Sequence, residues 1–244
     1  MTIDIWGLIS RVKFITEDEK CRLKKLRDLE AKGGNKRKPR RLKLHIKDCS
    51  EKALQRAVYL SSYSDLVFSD KTVKKVFWGD AEVPVRNKGK SSRGSCFDLL
   101  GSTEKDGEAD ILCELKMGKS KDSPLFAALE LLAYLEVSKK DDKCCFHENS
   151  VASLLKWKKA SGTQRLLIVA ADSAYWDKWD KSRKWGRGLR QELAKLCGML
   201  SFFEIRLSEK SGWFKGQKRG GKPYTPCLGP CEWREVYGRM WRRR

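Results

Sequence analysis

Nowhere does this chain carry an apolar run long enough to cross a bilayer: the longest, Leu166 to Ala171, falls far short of the roughly 20 residues a spanning helix needs. No secretory or lipidation signal is read. The expectation is a soluble, cytoplasmic protein with no membrane partner. Paired Cys-x-x-Cys spacing is missing as well. The nine cysteines, an odd number scattered through apparent strands and helices, fit reduced thiols better than a disulfide framework. Cys144, Cys145 and His147, with Cys227 and Cys231 far downstream, could supply zinc ligands, but without the usual pairing a zinc site is not expected. Acid is also in short supply. Against 53 Lys+Arg stand only 32 Asp+Glu, a net charge of +21. Such an excess calls for a polyanionic partner, and nucleic acid is favoured over an acidic membrane surface. No internal repeat and no sequence-reading element are found.

What is present is enough for a folded chain: 244 residues, 40% hydrophobic and 10% aromatic, ample for a buried core. Composition divides it into three parts. Residues 1–47 read as an N-terminal helical arm and basic linker, 48–208 as an α/β core, and 209–244 as a basic, aromatic extension.

The most informative stretch runs from Cys96 to Met117. Two apolar-rich runs flank Asp106-Gly107, the local signal for an antiparallel hairpin. A three-residue loop of Lys105, Asp106 and Gly107 pairs Glu104 with Glu108 and, further along, Asp98 with Glu114. Strand alternation puts Asp110, Leu112, Glu114 and Lys116 on one face and Ile111, Cys113 and Leu115 on the other, where Phe97 and Leu99 are expected to join them. Two acids and an ammonium gathered on a buried hairpin repel and desolvate one another unless a cation or a phosphate completes the set. Hard oxygen ligands of this kind suit magnesium or manganese.

An acid on one strand followed by Glu-x-Lys on the next, here Asp98 and Glu114-Leu115-Lys116, resembles the PD-(D/E)XK nuclease superfamily, the fold of restriction endonucleases and many repair nucleases. The following helix, Ser123 to Leu135, is similar to the one after Glu-x-Lys in several such families, with Ser123 as N-cap and Pro124 at the first helical position. The resemblance covers roughly residues 50 to 207. It implies an open mixed central β-sheet flanked by helices, the restriction endonuclease-like αβββαβ core. It also implies that Asp98, Glu114 and the Leu115 carbonyl bind Mg2+ or Mn2+ and that Lys116 sits beside the attacking water. Phe97 stands where a proline is common. The upstream acid that such sites often add is either Glu51, on a helix, or Glu82, on a strand; both fit.

Around this centre, residues 8 to 31 read as one helix or two, ended by Gly33-Gly34. Lys36 to Lys47 holds seven Lys or Arg and no acid, which makes it either a solvated linker or a phosphate-contacting arm, the latter favoured. Ser50 to Tyr63 reads as a helix, and Val73 to Trp78 with Ala81 to Val85 as two strands or one bent strand. The Ser123 to Val137 helix is nearly all apolar, so its Glu130 is either structurally paired or turned toward the site. Leu166 to Ala171 has the character of a central parallel strand, and Leu200 to Leu207 is the last strand expected. Lys119 and Lys121 in the loop after Glu-x-Lys, and Arg183, Lys184, Arg187 and Arg190 further on, are the candidate nucleic-acid contacts. Trp176 and Trp179 suit core packing better than base stacking.

The function expected is metal-dependent hydrolysis of phosphodiester bonds, in DNA rather than RNA, in repair, restriction or defence. The alternatives are a nucleic-acid-binding module without turnover and an RNA-binding scaffold. A homodimer is left open.

Overall fold

A computed structural model describes residues 4–31, 41–47, 50–85, 96–105, 107–139, 165–181, 186–207, 223–228 and 231–236. The elements are α1 (Ile5–Arg11), α2 (Glu17–Ala31), α3 (Glu51–Leu60), β1 (Tyr63–Val67), β2 (Val73–Pro84), β3 (Cys96–Ser102), β4 (Ile111–Lys116), α4 (Pro124–Lys139), β5 (Leu166–Asp172), α5 (Ser173–Lys181), α6 (Arg187–Leu196), β6 (Ser201–Leu207) and β7 (Cys231–Glu235).

The hairpin forms in the expected register. Leu99, Leu100 and Gly101 oppose Cys113, Leu112 and Ile111, and the same offset sets Asp98 opposite Glu114. β4 then runs parallel to β5, with Glu114 opposite Val169, as a strand, helix, strand crossover requires. Val73–Pro84 is one bent strand: its register against β3 shifts between Trp78 and Asp80, a bulge at the Gly79-Asp80 break.

The open sheet, however, is not what the chain builds. Among the described residues the seven strands form a closed barrel in sequence order, its seam a parallel pair in which Leu66 and Val67 of β1 meet Trp233 and Arg234 of β7. This overturns the restriction endonuclease-like core inferred from the resemblance. The reason lies in two strands with little hydrophobic pattern. The helix expected to reach Tyr63 stops at Leu60, and Ser62 takes a left-handed φ of 69° to start β1. β7 comes from the stretch read as an extension. Each of these strands turns one fully buried side chain inward, Leu66 and Trp233, too sparse a signal for periodicity to register.

Every strand contributes to one apolar cluster, which is the barrel interior: Leu66, Trp78, Leu99, Cys113, Ile168, Phe203 and Trp233 are among its members, with Leu54 and Val58 of α3 against them. A second cluster lies between the outside of the barrel and α1, α2, α4, α5 and α6, with α4 at its centre. Trp176 and Trp179 belong to it, so the α5 aromatics are core, and the Trp176 indole donates to the Phe203 carbonyl. α2 packs against α4. Thr16 and Glu19 form a reciprocal capping box, and Glu19 also accepts from the backbone and hydroxyl of Ser123, the residue that caps α4 through the Phe126 amide.

Strand alternation breaks at Phe97. Phe97 joins the outer cluster with Leu100 and Leu112, whereas Leu99 lies inside the barrel. The matching flip on β2 occurs between Ala81 and Val83, which oppose Leu99 and Phe97, at Glu82, whose φ is +50°. A left-handed glutamate in a strand is a strained backbone. It lies where β2 changes the face it presents, beside the Phe97 to Leu99 stretch of β3 that holds Asp98.

Candidate active site

Asp98 lies where the β3–β4 ladder gives out. Its Oδ2 accepts the Leu115 N–H at 2.7 Å, taking the place of a strand partner, and Oδ1 accepts from the Gln55 amide at 2.6 Å. In an antiparallel ladder the N–H and C=O of a residue face the same neighbouring strand, so the Leu115 carbonyl also points to the Asp98 side. Glu114 and Lys116 follow on β4, each 3% exposed. Lys116 Nζ lies 2.6 Å from Glu114 Oε1, 3.4 Å from Glu130 Oε2 and 3.5 Å from Asp122 Oδ2. Glu130 also accepts from the Tyr134 hydroxyl at 2.9 Å and from Arg22 at 3.1 Å. Arg22 in turn holds Asp122 through both terminal nitrogens, at 2.6 and 3.2 Å.

These groups line a cleft of about 760 Å³ between α3, the β2–β4 edge and α4. Charge in it is layered: Asp98, Glu114 and Glu130 are buried at the floor, while Arg41, Lys43 and Lys52 are exposed in its walls. Burial, and then the neighbouring carboxylates, push Asp98 and Glu114 well above the usual acid range. Burial works against the Lys116 ammonium, but Glu114, Glu130, Glu51 and Asp98 outweigh it and hold its pKa well above the ordinary lysine value. Cys96, at the edge of the cleft, is pushed up to about 12 by burial and by Asp98, which rules out a thiolate nucleophile at neutral pH.

The two upstream acids divide clearly. Glu82 is ion-paired to Arg56 at 2.6 Å and Lys52 at 3.3 Å. Burial acts to raise it, yet these cations hold it below its ordinary value. Glu51 has no ion pair among the described residues, and burial raises its pKa against the pull of Lys116. Glu51 is thus the acid left wanting a cation. The first-turn position that suits the helix dipole also aims it into the cleft.

The oxygen set fits a hard divalent ion chemically. Glu114 Oε2 and Gln55 Oε1 are buried with no hydrogen-bond partner, beside carboxylates whose repulsion a cation would relieve. Among the described residues, no group of three or more His, Cys, Asp or Glu side chains is gathered closely enough to hold a metal by itself. Two carboxylates, the Leu115 carbonyl and Glu51 are the available ligands.

The other candidates are not brought here. Lys119 and Lys121 are exposed on the loop before α4 and do not line the cleft. Arg187 is exposed on α6, and Arg190 pairs with Asp180 at 3.7 Å; neither lines the cleft. Arg183 and Lys184 lie outside the described residues, as do Cys144, Cys145 and His147. Cys227 and Cys231 are free thiols. Glu130 answers both of its readings, being paired and facing the site. Gln55, Arg22 and Asp122 were not singled out from the sequence. Gln55 was findable, one helical turn beyond Glu51 on the same face. Arg22 was not, because nothing local indicates which surface α2 meets.

Arg22 is a third exposed, so solvent screens part of its contribution. Arg22→Met is expected to cost about 1–2 kcal/mol of unfolding free energy, seen as a lower urea midpoint with an unchanged slope.

No protein-family model, curated protein or solved structure matches the chain. Among the described residues, no helix is long and apolar enough to cross a membrane.

Proposed function

We propose that this protein is a metal-dependent phosphodiesterase that cuts nucleic acid, DNA in preference to RNA. The observation that carries the reading is the pair of buried carboxylates, Asp98 and Glu114, set against Lys116 at the floor of a basic-walled cleft. Strongly perturbed groups in a cleft mark a site whose chemistry requires them. The reading rests on that chemistry and on the local likeness to PD-(D/E)XK sites, without the open-sheet core.

In this reading Asp98, Glu114 and the Leu115 carbonyl hold Mg2+ or Mn2+, with Glu51 as the completing acid. The ion, when bound, polarises the phosphate and acidifies a water. Gln55 and the Leu115 N–H fix the Asp98 carboxylate so that it is oriented before substrate arrives. Lys116, charged across the physiological range, orients the attacking water and stabilises the negative charge that grows on the phosphate oxygens. Glu130, with Arg22 and Tyr134 behind it, keeps the ammonium pointed at that position.

Purified protein is expected to cut plasmid or single-stranded DNA with Mg2+ or Mn2+ and to stop in chelator, and Lys116→Ala should lower the rate about 10²–10³-fold. Absence of cutting on plasmid, single-stranded DNA and RNA with either ion would sink the reading. One observation favours a second, a nucleic-acid-binding module without turnover: Lys116 is already closed onto Glu114 at 2.6 Å. That reading predicts tight binding indifferent to metal.

A further inference from the structure

The segment 41–47 alternates with a strict period of two. Arg41, Lys43, His45 and Lys47 are exposed, while Leu42 is buried and Leu44 and Ile46 are half-buried. Leu42 and Leu44 pack on the barrel-interior cluster. The segment is fastened along its length: Arg56, itself buried and ion-paired to Glu82, donates to the Lys43 carbonyl at 2.8 Å. Ile46 exchanges two backbone bonds with Tyr224 at 2.9 and 2.8 Å, and the His45 ring meets the Thr225 hydroxyl at 2.7 Å. Arg41, Lys43 and His45 line the same cleft as Asp98 and Glu114.

We infer that residues 41–47 form a phosphate rail that grips a single nucleic-acid strand and feeds it to the cleft, so that the substrate is single-stranded DNA or a frayed or flapped end. The inference deepens the nuclease reading of this site and rests on it for the cutting step alone. Side chains at every second position of an extended chain stand about 6.6 Å apart, comparable to the separation of neighbouring phosphates on one strand. Because the apolar side chains and the Lys43 carbonyl are already tied down, the cations are held in a row before any ligand arrives. The reactive carboxylates are nearly fully buried. A stiff duplex cannot bend one phosphate down to them, whereas a single strand can turn its backbone into the cleft. Contacts to phosphate give affinity without base selectivity, which suits a sequence with no reading element.

The test uses full-length protein in chelator, so that nothing is cut, with a fluorescent oligo-dT and a blunt duplex of equal length as probes. The single strand is expected to bind at least tenfold tighter. Arg41→Ala with Lys43→Ala should weaken that binding about tenfold or more and flatten the slope of log Kd against log salt by about 1.4, with the melting temperature unchanged because both side chains are exposed. Equal or tighter duplex binding, or a salt slope identical in the double variant, overturns the rail. Binding that behaves as expected without cutting in magnesium or manganese removes the nuclease reading and leaves the rail. Duplex cutting untouched by the double variant does the reverse.

Discussion

Glu114→Gln is expected to lower the phosphodiester cleavage proposed above about 10³-fold or more while the protein stays folded and keeps the proposed DNA binding. The substitution keeps shape and removes one negative charge from the floor of the cleft. Lys116 retains Glu130 and Asp122 as partners, so no ammonium is stranded. The unfolding free energy in chelator should accordingly not fall, and its pH dependence should change sign-specifically. The Asp98 and Glu114 pKa values are raised in the folded state, so the folded chain holds protons that the unfolded chain has released. Stability then falls as pH rises from the ordinary carboxylate range toward the raised values, by up to about 1.4 kcal/mol per pH unit for each excess proton. Lys116, whose pKa is raised, contributes stability that persists until pH passes the ordinary lysine value, outside this window. Thermal melts of the native protein between pH 5 and 8 should drift downward, and those of Glu114→Gln should drift less. Equal slopes would mean that Glu114 holds no excess proton in the folded chain. Added Mn2+ should lift the native melt at the alkaline end and leave that of the variant in place.

Trp233→Ala is expected to remove about 3–5 kcal/mol of stability, or roughly 10 °C in melting temperature for a chain of this size. The indole is fully buried, packs against Trp78 with ring centroids 5.5 Å apart, and stands opposite Leu66 on one side and Ile205 on the other. It therefore fills the barrel at the seam. Emptying that space loosens β7 from both neighbours and bares the edges of β1 and β6, which should show as aggregation on heating. A loss under about 1 kcal/mol in urea unfolding would mean that the seam does not hold the barrel together.

How much of this was legible beforehand depends on where the signal sits. The hairpin register was readable because the Gly107 turn and the alternation of β4 are local. Those same residues placed Asp98 against Glu114, and the helix after them was marked by its own cap at Ser123. Closure into a ring was not readable. It depends on β1 and β7, each contributing a single inward apolar residue and paired across 167 positions from Leu66 to Trp233. The flip of Phe97 to the outer face was invisible as well: it lies opposite a matching flip on β2 at the left-handed Glu82, which no composition rule predicts. Basic residues were easy to count and hard to place. Lys119, Lys121 and Arg187 sit away from the cleft, whereas Arg41 and Lys43 line it and Arg22 reaches it from the far N-terminal helix.

The parallel seam has a consequence for how the protein is made. Every side chain proposed for the chemistry lies between Arg22 and Tyr134, yet the last staple of the ring is not synthesised until Cys231–Glu235. From the synthesis of Tyr134 until that of Cys231–Glu235 a nascent chain therefore carries its complete set of site residues on an unfinished wall, and joining the two ends is a distant contact that comes late and slowly. Whatever activity the site has should be withheld until the ribosome has delivered the final strand.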